Sequence, residues 1–531
     1  MNTLLRFPRP AARGPALCLL GVLVVIGCIQ SRLPAAETFT PLGLREVHVG
    51  GEIGRRINIT IANNLLVLDA GRDFLTPFRN KTGQTGYIGL GKLIDAAVKF
   101  AAYTGDPQVL ALKQHLVAET LKTQELDGYI GLMAPPHRVQ ALWDVHELGY
   151  VIWGLLADHQ YFGEARSLAA ARKAADYLIQ RWPTLPLDWS AGTAPHVAVT
   201  GLERTVLALH RATGAASDLD FVTKTRALPD WDLPIVVGRR PGIEGHVYAF
   251  MARCLAQLEL QRTQPDPRLL AQTERALDFM LHHDGLHITG GTGQREIWTD
   301  DQDGRGQLGE TCATAYQLRL YESLLRLNGD ARMGDLIERT VCNALFAAQS
   351  PDGRQLRYYS PTEGPRVYWT RDTYCCPCNY RRIVAELPTM IFYRNRAGLA
   401  VNLFTPAQAK LSVAGDVLLT IRQETDYPNS GRVRLRLDPA RAVKFPLQLR
   451  IPAWAHGATV AVNGQRIGSA VKAGTFLELI REWQPGDEVA LELPMAWRLV
   501  KGRQRQAGRV AVMRGPQVFC LNPAGNAELA K

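Results

Sequence analysis

The apolar residues of this chain change their period once. Across residues 90–395 they recur at helical spacing, and after Arg394-Asn395-Arg396-Ala397-Gly398 they alternate one in, one out. A helical run and a strand run of this length cannot share one set of elements, so an all-helical part is followed by a sheet part. Leu93, Ala96, Ala97 and Phe100 make one helical face, and Leu110, Leu116, Val117 and Leu121 line the next.

Short turns stop these helices repeatedly, as at Thr104-Gly105-Asp106-Pro107, Thr213-Gly214 and Asn328-Gly329-Asp330. Glycine tolerates the left-handed backbone just past a helix end, and proline blocks continuation. The pattern is one of αα-hairpins laid end to end, with room for roughly ten to twelve helices. Hairpins in that number close most economically into an α/α toroid of the six-hairpin type, with a pocket formed by the loops at one end.

Arg432-Val433-Arg434-Leu435-Arg436-Leu437 is the plainest strand, and 417–423, 445–451, 459–462, 476–480, 488–493 and 509–521 read the same way. Asn463-Gly464 marks a tight hairpin between two of them. Short strands at this spacing predict β-sandwich modules, the last of them incomplete. Asn58-Ile59-Thr60-Ile61 and Leu65-Leu66-Val67-Leu68 are expected to supply further strands against these sheets. The expected organisation is therefore α + β and multidomain: a catalytic toroid over 37–395, with 37–70 contributing strands, and a sandwich region over 396–531.

Arg6, Arg9 and Arg13 precede a short apolar run at 16–26, the grammar of an export signal over residues 1–36. Val25-Ile26-Gly27-Cys28 has the form of a lipoprotein box, giving a signal that ends at residue 27 and a lipid anchor; Leu33-Pro34-Ala35-Ala36 offers an ordinary cleavage site. The expected location is periplasmic, cell-surface or secreted. The charge excess of +11, from 61 basic against 50 acidic residues, is spread along the chain without a nucleic-acid recognition motif. Only short concentrations such as 501–505 break the even spread.

With Cys18 and Cys28 assigned to the signal, seven of nine cysteines remain, an odd number that argues against a simple disulfide framework. Glu310-Thr311-Cys312 and Cys375-Cys376-Pro377-Cys378 hold four of them. Thiolates and a carboxylate are good zinc ligands, and a tetrahedral site takes four donors from these five. Glu310 and Cys312 are expected where Gly309 lets the chain enter a helix carrying Tyr316, Leu320 and Leu324. Cys375 and Cys376 can face one ion only from an irregular turn, which Pro377 favours by opposing helix. A vicinal Cys375–Cys376 disulfide, a bridge from Cys378 or a purely structural zinc clip fit the spacing as well.

At these residues the chain resembles the β-L-arabinofuranosidases of glycoside hydrolase family 127. Markers run in order through Asp73-Phe74-Leu75-Thr76-Pro77-Phe78-Arg79, Gly91-Lys92, Asp127-Gly128-Tyr129 and Trp143-Asp144-Val145-His146-Glu147-Leu148. They continue through Gly245-His246, Thr289-Gly290-Gly291, Glu310-Thr311-Cys312-Ala313 and Cys375-Cys376-Pro377 to Leu449-Arg450-Ile451-Pro452-Ala453-Trp454 and Arg514-Gly515-Pro516.

The resemblance implies a retaining hydrolase of plant-type glycans with Zn2+ held by Glu310, Cys312, Cys375 and Cys376. It puts the nucleophile at Cys375, the acid/base at Glu296 and sugar contacts at His146 and His246, with His196 near a further expected histidine. A zinc-bound sulfur stays deprotonated near neutral pH and is a competent nucleophile. Two departures stand out. The loop at 289–296 is shorter than the family's, which brings Asp300 and Asp301 into contention with Glu296, and Cys378 is an extra thiol able to replace Glu310. The same chemistry on another sugar, or a non-catalytic glycan-binding protein with structural zinc, are the other readings.

Overall fold

The computed structural model describes residues 37–521 apart from 141, 186–196, 198, 241 and 397. The expected export signal, with its lipoprotein box, and His196 lie outside the described residues.

Helices pair along the chain. After α1 (Gly51–Thr60) come α2 (Leu90–Thr104) with α3 (Pro107–Lys122), and α4 (Leu142–Phe162) with α5 (Ala165–Arg181). α6 (Leu202–Thr213) is followed by the short α7 (Ala216–Asp220), and α8 (Val247–Thr263) by α9 (Ala271–His282). α10 (Thr311–Asn328) pairs with α11 (Ala331–Arg339), and α12 (Cys375–Glu386) packs against α1, from the far end of the described chain. α2, α4, α6, α8, α10 and α12 each pack on the next, and α12 returns to α2, so the inner ring is closed. This is the expected toroid.

The inner helices approach closely where side chains vanish. A Cβ on Gly91 would stand 2.1 Å from the Tyr150 carbonyl, so only glycine lets α2 lie this near α4. Among the described residues no helix is long and apolar enough to cross a membrane.

Neither expected strand forms: 58–61 is helical, and 65–68 runs from the end of a π-helical turn into a turn and bend. Ile53, Ile57, Ile61 and Leu65 recur every four residues and are all buried, so α1 and the π-helical turn that extends it lay one apolar stripe on α12. The N-terminal strands lie earlier, at β1 (Thr40–Pro41) and β2 (Val47–Val49). The sheet region opens at β3 (Phe392–Arg394), a little before the expected boundary at 395, and continues with β4 (Leu399–Val401). Then follow β5 (Ala407–Val413), β6 (Val417–Thr425), β7 (Arg432–Pro439) and β8 (Val443–Ile451). β9 (Thr459–Val462), β10 (Gln465–Arg466), β11 (Thr475–Trp483) and β12 (Asp487–Glu492) complete two sheets. β13 (Trp497–Lys501), β14 (Val510–Arg514) and β15 (Gln517–Phe519) form a third.

The five-stranded sheet runs β1-β3-β4-β8-β11 and the seven-stranded sheet β10-β9-β12-β7-β6-β5-β2. All pairs are antiparallel except β4 with β8. Alternation puts Leu447, Leu449 and Trp483 of one sheet and Leu419, Ile421, Leu435 and Val489 of the other into a common core. Arg450 on β8 fastens this sandwich to α11: it is fully buried, donates to the Asn402 carbonyl at 2.6 Å and to Glu338 at 2.6 Å, and pairs with Asp335. Gly334 makes room, since a Cβ there would lie 2.4 Å from Arg450 Cδ.

Candidate metal and catalytic site

Two helix N-termini of the inner ring bring the distant sulfurs together. Glu310 is the N-cap of α10, preceded by Gly309 at φ +61°, and Cys312 sits in the first turn. Cys375 and Cys376 open α12 after Tyr374, whose φ of +89° is left-handed and strained for a non-glycine residue. Pro377 therefore lies in a first helical turn, where its missing N–H costs nothing, and the irregular turn precedes the cysteines instead of containing them. Both helix dipoles favour negative charge at this point.

The ligand atoms of Glu310, Cys312, Cys375 and Cys376 all lie within 4.8 Å of one another, and all four residues are buried. Cys312 Sγ is 3.3 Å and Cys375 Sγ 3.8 Å from Cys376 Sγ, which in turn is 3.6 Å from Glu310 Oε1. These gaps exceed a disulfide bond of about 2.05 Å, and the cysteines are free. They suit a tetrahedral ion with metal–sulfur bonds of about 2.3 Å, whose ligand edges are about 3.8 Å. Glu310 Oε2 is buried without a partner, as expected of a carboxylate facing a cation. The donor set thus fits a metal ion.

Four acidic groups in one dry pocket cannot all ionise unaided. Burial, then the charges of Glu296 and Cys375, pushes Glu310 well above the usual carboxylate range. Burial likewise raises Cys312 and Cys376. Burial also opposes ionisation of Cys375, but its contacts with Cys312 and Cys376, the Lys92 charge and Tyr358 outweigh it and hold this thiol well below its ordinary value. A bound cation is the charge that lets the whole set ionise.

Cys378 is not in this cluster. Its sulfur lies beside Gly89 and 3.8 Å from Arg381 Nη1, so the extra thiol does not take the place of Glu310. Asn379, unremarked in the sequence, donates from Nδ2 to Cys312 Sγ at 3.1 Å.

Glu296 lies on a loop with φ +57° at Arg295 and +69° at Glu296. Its Oε1 accepts from the Tyr358 hydroxyl at 2.7 Å and from Tyr359 at 3.1 Å, and Cys375 Sγ is 3.5 Å from the same Tyr358 hydroxyl. His246 Nδ1 accepts from the Ala249 amide, which leaves the ring proton on Nε2, 3.7 Å from Glu296 Oε2. Burial raises the Glu296 pKa, but the nearby His246 ring and the hydrogen bond from Tyr358 win and hold it below the ordinary value. Asp301 instead accepts from the Arg505 amide and Nε, and the Asp300 carbonyl accepts from Gln504. The short loop thus brings Glu296, and neither of those two acids, to the cluster.

His146 is buried on α4, with Nε2 3.0 Å from Lys92 Nζ and Nδ1 3.4 Å from Thr200 Oγ1. Lys92, wholly buried, also lies 4.3 Å from the Tyr150 ring centre. Tyr87 stacks on Tyr374 with ring centres 4.9 Å apart and lies 5.1 Å from Trp143, while Trp369 is 5.2 Å from Tyr358. These half-buried rings form an aromatic wall beside the thiols, suited to the apolar face of a sugar. Neither the wall nor Lys92 stood out in the sequence as site residues, because they converge from separate helices and loops.

A closed helical toroid carrying a carboxylate beside a cysteine cluster and an aromatic wall is an arrangement suited to a carbohydrate-active enzyme. The family model "Beta-L-arabinofuranosidase, GH127 catalytic domain" matches residues 74–389, and that of the GH127 middle domain matches 398–495. The chain belongs to glycoside hydrolase family 127 and is a glycoside hydrolase with a carbohydrate substrate. It is 26% identical over 500 residues to a non-reducing end β-L-arabinofuranosidase of Bifidobacterium longum, covering 82% of this chain and 75% of that one. Its fold matches a family 127 β-arabinofuranosidase structure with a TM-score of 0.78 at 23% identity, over 92% of this chain and 86% of that one. A β-L-arabinofuranosidase from Geobacillus stearothermophilus matches with a TM-score of 0.75 at 24% identity, over 90% and 86%.

Proposed function

We propose that this chain is a zinc-dependent, retaining hydrolase that releases β-L-arabinofuranose from the non-reducing ends of plant-type glycans, with Cys375 as nucleophile and Glu296 as acid/base. The observation that carries the reading is the single Tyr358 hydroxyl shared by Cys375 Sγ and Glu296 Oε1. One phenol contacting both groups holds them no farther apart than its two contacts together allow, a bound that admits the separation of about 5 Å that retention asks of its two groups.

In the first step Cys375 Sγ attacks the anomeric carbon while protonated Glu296 gives its proton to the departing oxygen, so a C–S bond forms as the C–O bond breaks. In the second, ionised Glu296 takes a proton from water, whose oxygen displaces sulfur from the same carbon. Two inversions give net retention. Zinc bound by Glu310, Cys312, Cys375 and Cys376 would supply the positive charge that keeps the sulfurs deprotonated. The His246 ring beside it and the hydrogen bond from Tyr358 favour the ionised Glu296 that the second step needs. Burial and the Cys375 charge oppose them and favour the protonated acid of the first.

The test is release of nitrophenol from a β-L-arabinofuranoside by zinc-loaded protein, with the product's anomeric configuration followed by NMR. Both Cys375→Ser and Glu296→Gln are expected to abolish turnover. No release across a furanoside and pyranoside panel by folded, metal-replete protein overturns the reading. Export follows the same logic, since a glycan-cleaving enzyme meets its polymer outside the cytosol; mass spectrometry of the mature N-terminus distinguishes a lipid on Cys28 from cleavage after Ala36.

A further inference from the structure

A second cleft lies on the other side of the segment that supports Glu296. Its volume is about 890 Å³, and its walls come from the helical part and from the β13–β15 sheet. Tyr358 and Tyr359 reach Glu296, whereas Arg357 and Ser360 line this cleft. No residue of the metal cluster borders it.

The cleft has the marks of a built site. Arg357 is 3% exposed, yet among the described residues no carboxylate pairs with it; its Nε is without a partner, and its guanidinium lies against Tyr368, with Nη2 3.2 Å from the hydroxyl and Cζ 5.0 Å from the ring centre. Ser360 Oγ and His287 Nε2 are likewise buried and unpartnered. Burial and the Arg339 charge hold the His287 pKa to about 3, so the imidazole is neutral and free to accept or donate a hydrogen bond. A buried guanidinium without a counter-charge is costly, and an anionic ligand removes that cost.

The charge around the rim points the same way. Among the described residues, seven arginine and lysine side chains line the cleft against three carboxylates. Arg503 pairs with Asp284, Arg509 with Glu363, and Arg55 and Arg56 with Glu52. Arg366 and Lys501 have no acidic partner among the described residues; Arg366 touches only the Cys520 sulfur, at 3.6 Å. Lys501 and Arg503 belong to the basic run at 501–505 for which the catalytic centre has no use. The half-buried Tyr368 and the 44% exposed Phe519 add ring faces of the kind that stack on sugars.

We propose that this cleft is a second glycan site, separate from the catalytic centre, that takes a carboxylate-bearing sugar of the uronate class. Arg357 and Arg366 hold the carboxylate, Ser360 and His287 bond ring hydroxyls, and Tyr368 and Phe519 pack on the ring faces. The inference goes beyond the hydrolytic reading, because an acidic glycan anchored here keeps the enzyme on its polymer whatever sugar the catalytic pocket accepts.

The experiment is calorimetric titration of the full chain with trigalacturonic acid, its methyl ester, and sulfate. One site per chain is expected, weakened about tenfold by esterification, since a charge-assisted pair is lost. Arg366→Ala and Lys501→Ala, both exposed, should each weaken binding about threefold while leaving arabinofuranoside turnover unchanged. Arg357→Met should abolish it, and the two exposed variants keep the test sound if that protein fails to fold. No binding, equal binding of the ester, displacement by L-arabinose, sulfate binding as tightly as the trimer, or indifference to Arg366→Ala with Lys501→Ala overturns the proposal.

Discussion

Tyr358 donates its phenol to Glu296 at 2.7 Å, from a position 3.5 Å from the Cys375 sulfur. Removing that hydroxyl changes geometry and proton affinity together. The bond favours ionised Glu296, so Tyr358→Phe is expected to raise the Glu296 pKa and move the limb of the pH–kcat/KM profile that reports it to higher pH. Turnover should fall about tenfold to a hundredfold as the proposed acid, Glu296, loses its orientation. A profile of unchanged shape would mean that the phenol is packing only.

The four-residue cluster makes a sharp distinction among cysteines. Cys312→Ala removes one donor and should lower bound metal from stoichiometric to near zero after dialysis, because three-donor sites bind far more weakly. Cys378→Ser should keep the metal, since that sulfur sits against Arg381 and Gly89. Elemental analysis of both proteins checks this, and metal loss in the serine variant would restore Cys378 as a ligand.

Much of this arrangement could be read without coordinates, for identifiable reasons. The hydrophobic period is local, so Leu93, Ala96, Ala97 and Phe100 announce an inner helix, and all four are fully buried. Glu310, Cys312, Cys375, Cys376 and Cys378 stand out by residue type, and the family resemblance singles out the four that meet. What stayed hidden depends on contacts between elements. Asn58-Ile59-Thr60-Ile61 has β-branched residues that favour strand, yet packing of Ile57 and Ile61 with the rest of their stripe on α12 overrides the local preference. Pro377 reads as a helix breaker unless the helix is known to begin two residues before it. Lys92, Tyr358 and Asn379 gain meaning only when the ring closes and sets them beside His146, Glu296 and Cys312.

Arg450 ties sandwich to toroid through charge as well as packing. It is fully buried between Asp335 and Glu338, and Glu338 also accepts from Tyr427 at 2.6 Å. Arg450→Met leaves two carboxylates facing each other without a cation, which costs about 3–5 kcal/mol. Urea denaturation followed by tryptophan fluorescence should show a lower midpoint and a sheet transition separated from that of the helices.

Glu259 sets an acid limit on the toroid. It lies on α8 within reach of Arg211 Nη1 at 2.9 Å and of Arg204 Nε and Arg262 Nη1 at 3.5 Å. Burial raises its pKa, but the three guanidinium charges, with Arg326 beyond them, prevail and hold it at about 2. A folded-state value below the unfolded one means stability that is present above about pH 4.5 and lost as pH falls towards 2. The shift corresponds to roughly 3 kcal/mol. Glu259→Gln should therefore lower the Tm at pH 7, and the gap to the unmodified protein should close between pH 4.5 and 2, where the native carboxyl becomes neutral too. Thermal melts across that range decide it, and a gap that stays constant with pH would show that the loss came from packing and not from charge.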